Sequence, residues 1–126
     1  MGDFPSIEEV NAILDRIVED IPSDFFKELN EGIVLMPEYK IHPASKGDSI
    51  IYIMGEYEVS NFGRNIKIYY GSFKRVYKNR SKGYIYNRLK ETLIHEFTHH
   101  LESLAGEKDL KIQDMQKLEA YRRSKR

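Results

Sequence analysis

The chain has no cysteine among its 126 residues. Disulfide bonds and thiolate metal sites are therefore excluded, and any bound metal must use nitrogen and oxygen ligands. The sequence also has no apolar run long enough to cross a bilayer, and residues 1–10 lack the basic flank and apolar stretch of a secretory signal. We therefore expect a cytoplasmic protein with no membrane partner. The length predicts one domain, 1–126, large enough to bury its own core.

Charge of one sign is scarce in one long segment and absent from another, although the net charge is zero. Residues 1–31 carry nine acids and two bases, whereas residues 64–90 carry nine bases and no acid, interleaved with five tyrosines and one phenylalanine. Basic residues among aromatic ones are typical of single-stranded nucleic-acid binding. The interpretation we favour is simpler: the acidic first helix faces the basic segment, or both are solvated.

Histidine is also scarce, yet two of the four histidines fall in one short motif, His95-Glu96-Phe97-Thr98-His99. Histidines four apart on a helix project from nearly the same side, so both imidazoles can bind one metal ion. The intervening glutamate can act as a general base on a water molecule that the metal activates. The motif therefore predicts a zinc site with His95 and His99 as ligands and Glu96 as the catalytic base.

The residues around the motif predict the helix that it requires. Apolar residues recur every fourth position without a proline, and the stripe comprises Ile85, Leu89, Leu93, Ile94, Phe97, Leu101, Leu104 and Ala105. His95, His99 and Glu102 fall on the opposite face of this helix. His100 falls within the apolar arc, so we predict that it is a buried, hydrogen-bonded structural residue. His42 stands alone in a predicted loop and is given no role.

A catalytic zinc ion usually has three protein ligands, so a third must be found. Glu102 lies one turn beyond His99 on the same face, and its side chain leans back toward the metal pair. Alternatively, the chain can reverse after Gly106 and bring Glu107 or Asp109 back toward the site. Spacing alone leaves these alternatives open.

The rest of the chain predicts an α+β domain with a small sheet packed against helices. Ser6 begins a capped helix that ends at Ile21-Pro22, and a second short helix is expected from Pro22 through Leu29. Short segments rich in isoleucine, valine or tyrosine predict three strands: Ile33–Met36, Ser49–Gly55 and Asn65–Tyr70. Further predictions are a turn at residues 60–63, a helical turn at Lys74–Tyr77, a last helix carrying Leu110, Ile112, Met115, Leu118 and Tyr121, and a frayed basic tail at residues 122–126.

With these segments assembled, the sequence resembles the minimal zincin-like metallopeptidases, a family of small single-domain bacterial proteins. The resemblance covers most of the chain, including the strand at residues 32–35, the segment 68–73 and the motif at residues 93–100. It implies a zincin-like α+β fold, one Zn²⁺ per chain and peptidase activity. Family members place a glycine three residues and an aspartate six residues after the second histidine; here Glu102 and Ala105 occupy those positions. A glycine-x-x-aspartate follows four residues later at Gly106–Asp109, so the resemblance implies Asp109 as third ligand, with Glu102 as the alternative.

The predicted function is therefore a zinc-dependent peptidase, with Glu96 as general base and a peptide or protein as substrate. An edge strand within Asn65–Tyr70 or Ile50–Ile53 is expected to hold the extended substrate, and Arg64 or a tyrosine to stabilise the oxyanion. Two alternatives stay open. One is a non-catalytic zinc-binding structural or regulatory module, and the other is nucleic-acid binding through residues 64–90.

Overall fold

The first helix, α1 (Ile7–Glu19), begins at the predicted capping box in the computed structural model, which describes residues 4–106 and 120. The Ser6 hydroxyl accepts from the Glu9 amide at 3.1 Å, and the Glu9 carboxylate accepts from the Ser6 amide at 2.8 Å. These two bonds satisfy backbone donors that a helix start leaves without partners. The helix buries Val10, Leu14 and Ile17, so the predicted apolar face is confirmed.

The second predicted helix is shorter than expected. A single 3₁₀ turn spans Ser23–Phe26, and Lys27 already has extended backbone angles of φ −56° and ψ 130°. Glu28 follows in the left-handed region at φ 64°, so the helical path cannot continue to Leu29. The Lys27 carbonyl is consequently not used within a helix, and it accepts a hydrogen bond from His100 instead.

Three strands form one mixed sheet in the order β1-β3-β2. Strand β1 (Ile33–Met36) runs parallel to β3 (Gly63–Tyr69), and β2 (Gly55–Ser60) runs antiparallel to β3. The predicted turn at residues 60–63 closes the β2–β3 hairpin. Leu35 pairs with Ile68, and Tyr57 pairs with Ile66, which directs these side chains toward the core.

The predicted second strand, Ser49–Gly55, is wrong. That segment makes only isolated bridges, Lys46 with Ser49 and Ile41 with Tyr52, and the strand begins at Gly55, where the prediction ended it. The prediction rested on the apolar residues of the segment, but Ile50 and Ile51 are about half exposed to solvent. The sequence did not indicate the observed strand, because that strand contains Glu56 and Glu58. Their carboxylates lie on the outer sheet face and pair with Lys40 and Lys67.

Two further helices complete the described fold. Helix α2 (Tyr70–Tyr77) begins before the helical turn that was predicted to start at Lys74, and it buries Ser72 and Phe73. Helix α3 (Lys82–Gly106) starts after Ser81, whose hydroxyl accepts from the Tyr84 amide at 3.1 Å. Gly71 is needed at the start of α2, because an added Cβ would lie 2.6 Å from the Glu38 carbonyl carbon.

The core lies between α1, α3 and the inner face of the sheet. The predicted stripe of α3 is buried except for Ala105, the last but one residue of the helix, which is exposed. The fully buried side chains include Ile17, Phe25, Ile66, Ile68, Phe73, Ile85, Leu89, Leu93, Phe97 and Leu101. The result is an α+β domain, as expected, and no helix in its described part has the length and hydropathy needed to span a membrane. The predicted last helix and basic tail lie outside the described residues.

Candidate metal centre

The two histidines of the motif converge on one point above α3. Their Nε2 atoms lie 3.0 Å apart, and the rings meet edge to face with centroids 4.6 Å apart. Two nitrogens bound to one tetrahedral zinc ion at 2.0–2.1 Å would lie roughly 3.3 Å apart. His95 and His99 thus present their nitrogens at nearly the separation that zinc binding requires, on an exposed helix face that a metal ion can reach.

The third ligand is not assembled within the described residues. No group of three histidine, aspartate or glutamate side chains suited to a metal ion occurs in residues 4–106. Oε1 of Glu102 lies 3.7 Å from Nδ1 of His99, whereas the atom of His99 that faces His95 is Nε2. A carboxylate at the far ring nitrogen is the usual orienting partner of a metal-binding histidine. Asp109, the first choice implied by the family resemblance, lies outside the described residues, so its role stays a prediction.

Glu96 is buried, unlike the histidines on either side of it. Only 6% of its surface is exposed. Burial raises the pKa of its carboxyl above the usual 4.5, the nearby His99 opposes this shift, and the negative charge of Glu56 adds to it. A carboxylate with a raised pKa accepts a proton more readily. The environment of Glu96 therefore suits a general base, and spacing alone did not indicate this burial.

A cleft of about 450 Å³ lies beside the motif. One wall is α3, and the other is the start of β2 with the segment that precedes it; the cleft is lined by His42, Tyr52, Ile53, Met54, Gly55, Tyr77, Arg88, Glu91, Thr92, His95 and Glu96. Gly55 brings this wall close to the helix, since an added Cβ would lie 3.0 Å from Thr92 Cγ2 and 3.1 Å from the Lys67 carbonyl oxygen. The cleft is open to solvent, and it reaches β2 at Gly55, the first residue of that strand.

This geometry changes which strand can hold a substrate. Strand β3, which contains Asn65–Tyr69, lies in the centre of the sheet, so its backbone is already paired on both sides. Strand β2 is the edge strand that borders α3, and only β3 pairs with it among the described residues. The expectation for Asn65–Tyr70 is thus wrong for a topological reason. The segment Ile50–Ile53 is not a strand, although Ile53 lines the cleft.

A buried chain of polar contacts fastens the motif helix to the sheet. His100 is fully buried, and its Nε2 lies 2.7 Å from the Lys27 carbonyl oxygen, which can only accept. The Nδ1 atom must then accept from the Tyr57 hydroxyl at 2.8 Å, and Tyr57 in turn accepts from Arg64 Nη1 at 2.7 Å. Arg64 Nη1 also donates to the Ser103 hydroxyl at 2.7 Å.

The structural role predicted for His100 is therefore confirmed. Burial lowers the pKa of His100, the bond to Lys27 opposes the shift, and the charge of Arg64 adds to it, which is consistent with a neutral ring. Arg64, expected as an oxyanion stabiliser, is 9% exposed and belongs to this chain of contacts. It is not among the residues that line the cleft.

His42, to which the sequence assigned no role, lines the same cleft as His95 and Glu96. Its Nδ1 accepts from the Ala44 amide at 2.9 Å, and its own amide donates to the Ile51 carbonyl at 2.7 Å. The neutral ring therefore carries its proton on Nε2. No sequence signal identified His42, because its position depends on a long loop that folds back along the strand wall.

These features describe an α+β protein with a histidine pair and a buried glutamate on one helix beside an open cleft. No family model matches the chain, and no curated protein matches it. Among solved structures, the chain is similar to a conserved hypothetical protein from Thermus thermophilus, with 34% sequence identity and a TM-score of 0.65 over 81% of this chain and 99% of the other. The chain belongs to the same family as this Thermus protein, whose description assigns it no activity.

Proposed function

We propose that the protein is a zinc-dependent peptidase with a zincin-like fold. The observation that carries this proposal is the convergence of His95 and His99, with Nε2 atoms 3.0 Å apart, beside a buried Glu96 and an open cleft. Two histidines without a shared function on a polar helix face would need no buried carboxylate between them, whereas a metal site with a general base does. The two imidazoles would hold the metal with Asp109, or alternatively Glu102, as third ligand.

Each residue of the site has one task in this reaction. A zinc ion held by His95 and His99 would act as a Lewis acid toward the scissile carbonyl and would lower the pKa of a water molecule toward 7. Glu96 takes a proton from the attacking water and passes it to the leaving amine. Its burial supports this task by raising the pKa of the carboxyl.

The substrate would lie along the edge of β2. An extended peptide can pair with the outer backbone groups of an edge strand, which fixes the path of its backbone along the sheet. Strand β2 and the residues just before it border α3 at Thr92, one turn before His95. A peptide on this edge would therefore run beside the cleft that Gly55, His95 and Glu96 line.

The first experiment is the metal content of the purified protein by elemental analysis. The parent is compared with His95→Ala, Glu102→Ala and Asp109→Ala. We expect one equivalent of zinc, lost in His95→Ala and in one of the two carboxylate variants, because removal of one ligand of three weakens the site severely. A parent protein with no zinc above background, even after zinc is added back, would refute the proposal.

The second experiment separates catalysis from metal binding. Glu96→Gln should keep its zinc and lose cleavage of a denatured protein substrate, because the amide cannot accept the proton. Glu19→Gln, an exposed position on α1, is the matched control and should keep both. If zinc stabilises the fold while the parent and Glu96→Gln show the same absence of cleavage, the site is a structural one.

A further inference from the structure

A strongly basic surface lies next to the cleft. It consists of Lys74 and Arg75 on α2, Lys78 at the end of that helix, Arg80 in the turn before α3, and Arg88 on α3, and we call it the basic rim. The first four of these residues are exposed, and the Arg88 side chain is 41% exposed. Helix α2 has no acidic residue that could offset these charges.

The acidic helix α1 does not neutralise the basic rim. Lys82 pairs with Glu9 at 3.3 Å, and both side chains are more than half exposed. Within residues 4–106, however, no ion pair joins Lys74, Arg75 or Lys78 to a carboxylate. Exposed pairs such as Lys82–Glu9 contribute little. Of the two arrangements expected for the basic segment, Lys82 therefore faces α1, whereas the bases of α2 are exposed to solvent.

Aromatic rings hold three guanidinium groups of the rim in place. Arg75 lies over the Tyr39 ring at 4.2 Å, while Arg80 and Arg88 lie over the Tyr84 ring at 4.6 and 5.0 Å. A guanidinium that stacks by its face keeps its N–H edge available for a carboxylate. Arg75 and Arg80 thus present oriented donors, whereas Nη1 of Arg88 already donates to the Glu91 carboxylate at 2.8 Å.

Tyr39 and Tyr84 each make an edge-to-face contact with a tyrosine that lines the cleft. The Tyr39 ring contacts the Tyr52 ring with centroids 5.8 Å apart, and Tyr84 contacts Tyr77 with centroids 5.6 Å apart. Tyr52, Tyr77 and Arg88 line the cleft.

We propose that the basic rim binds an acidic segment of the protein substrate, adjacent to the bond to be cleaved. This inference rests on the proposed peptidase function, since it places the acidic segment in line with the cleft. A nucleic acid is less well suited, because base stacking needs open ring faces. Here Arg75 covers Tyr39, and Arg80 and Arg88 flank Tyr84.

The test is a binding titration with fluorescently labelled peptides, read by anisotropy on the full chain carrying Glu96→Gln so that no peptide is cleaved. A glutamate-rich peptide is compared with the same peptide carrying glutamine in place of glutamate, and with a single-stranded thymidine oligonucleotide. Lys74→Gln and Lys78→Gln should each weaken binding of the glutamate-rich peptide by about fivefold at low salt. Arg16→Gln, an exposed base on α1, is the control and should change nothing. Binding should also weaken as salt rises.

Three results would overturn this inference. The first is equal binding of the glutamate and glutamine peptides, and the second is a loss of binding in Arg16→Gln as large as that in Lys78→Gln. The third is tighter binding of the oligonucleotide that is lost with Lys74→Gln and Lys78→Gln, which would identify a nucleic-acid surface.

The peptidase proposal and the acidic-segment proposal can fail separately. Binding does not need the metal, so a protein that takes up no zinc but binds the acidic peptide would refute the peptidase proposal alone. A zinc-loaded protein that cleaves both peptides with equal kcat/KM would refute the acidic-segment proposal alone.

Discussion

Tyr57→Phe should destabilise the protein far more than the loss of one hydroxyl usually does. This hydroxyl holds the middle position in the chain of contacts from Arg64 to His100, accepting at 2.7 Å and donating at 2.8 Å. Phenylalanine keeps the ring that packs against the core and removes both bonds together. The substitution therefore tests the polar contacts and not the packing.

The expected loss of stability follows from the polar atoms that Tyr57→Phe leaves without a partner. Nδ1 of the fully buried His100 loses its donor, and an unsatisfied buried acceptor costs about 1–3 kcal/mol. Arg64 Nη1 keeps its bond to the Ser103 hydroxyl, so the loss at that end is smaller. We expect about 2–3 kcal/mol in total. For a chain of this length, each kcal/mol lowers Tm by roughly 4 °C, so Tm should fall by roughly 10 °C.

The assay is urea unfolding at neutral pH, followed by circular dichroism, with Tm measured in parallel. Tyr39→Phe is the matched control, because the Tyr39 ring is 42% exposed and its hydroxyl makes no hydrogen bond within residues 4–106. The control should stay within about 0.5 kcal/mol of the parent. A Tyr57→Phe variant as stable as Tyr39→Phe would show that the contacts through His100 do not anchor the motif helix.

Two other substitutions test the fold at positions away from the motif. Gly71→Ala should lower the free energy of unfolding by about 2 kcal/mol or more in urea, because the added Cβ would lie 2.5 Å from the Tyr39 amide nitrogen. Gly83→Ala is the control: its Cβ would meet open space, so the substitution should be neutral or stabilising. Equal effects of the two substitutions would contradict the close approach at Gly71. Burial would raise the pKa of Glu56, but hydrogen bonds from Lys40 and Tyr69 outweigh it and hold the pKa below the usual 4.5. Because the folded pKa is depressed, this stabilisation is present above about pH 4.5 and is lost as pH falls through the folded pKa. Glu56→Gln should therefore be less stable than the parent at pH 7, with a difference that shrinks toward pH 3; a constant difference would contradict the reasoning.

Helices α1 and α3 could be predicted from the sequence because their signals are local. Ser6 and Glu9 cap α1 as the capping box indicated, and the apolar stripe of α3 placed His100 inside and His95 outside. Both results depend on residues within a few turns of one another. Histidine spacing could therefore predict the pair that converges, and the structure brings those two nitrogens together.

The strand next to the cleft could not be predicted, because its signal is not local. Glu56 and Glu58 look unsuited to a strand until the outer sheet face supplies Lys40, Lys67 and Asn65 as partners. The burial of Glu96 and the presence of His42 in the cleft also depend on elements distant in sequence. Periodicity identifies which face of an element is apolar, but not which neighbour covers it.

The paired strands also imply an order of events during folding. The β2–β3 hairpin closes through a two-residue turn between Ser60 and Gly63, and such hairpins form within about 1–10 μs. Strand β1 must close a longer loop to join it, because Ile33 pairs with Ile66, and the contact from His100 to Lys27 spans 73 positions. The entropy cost of closure rises with loop length. We therefore expect the hairpin to form early and the turn of α3 that carries His99 to gain its anchor late. Helix spacing aligns the two histidines with each other, but this late contact fixes their position relative to the sheet.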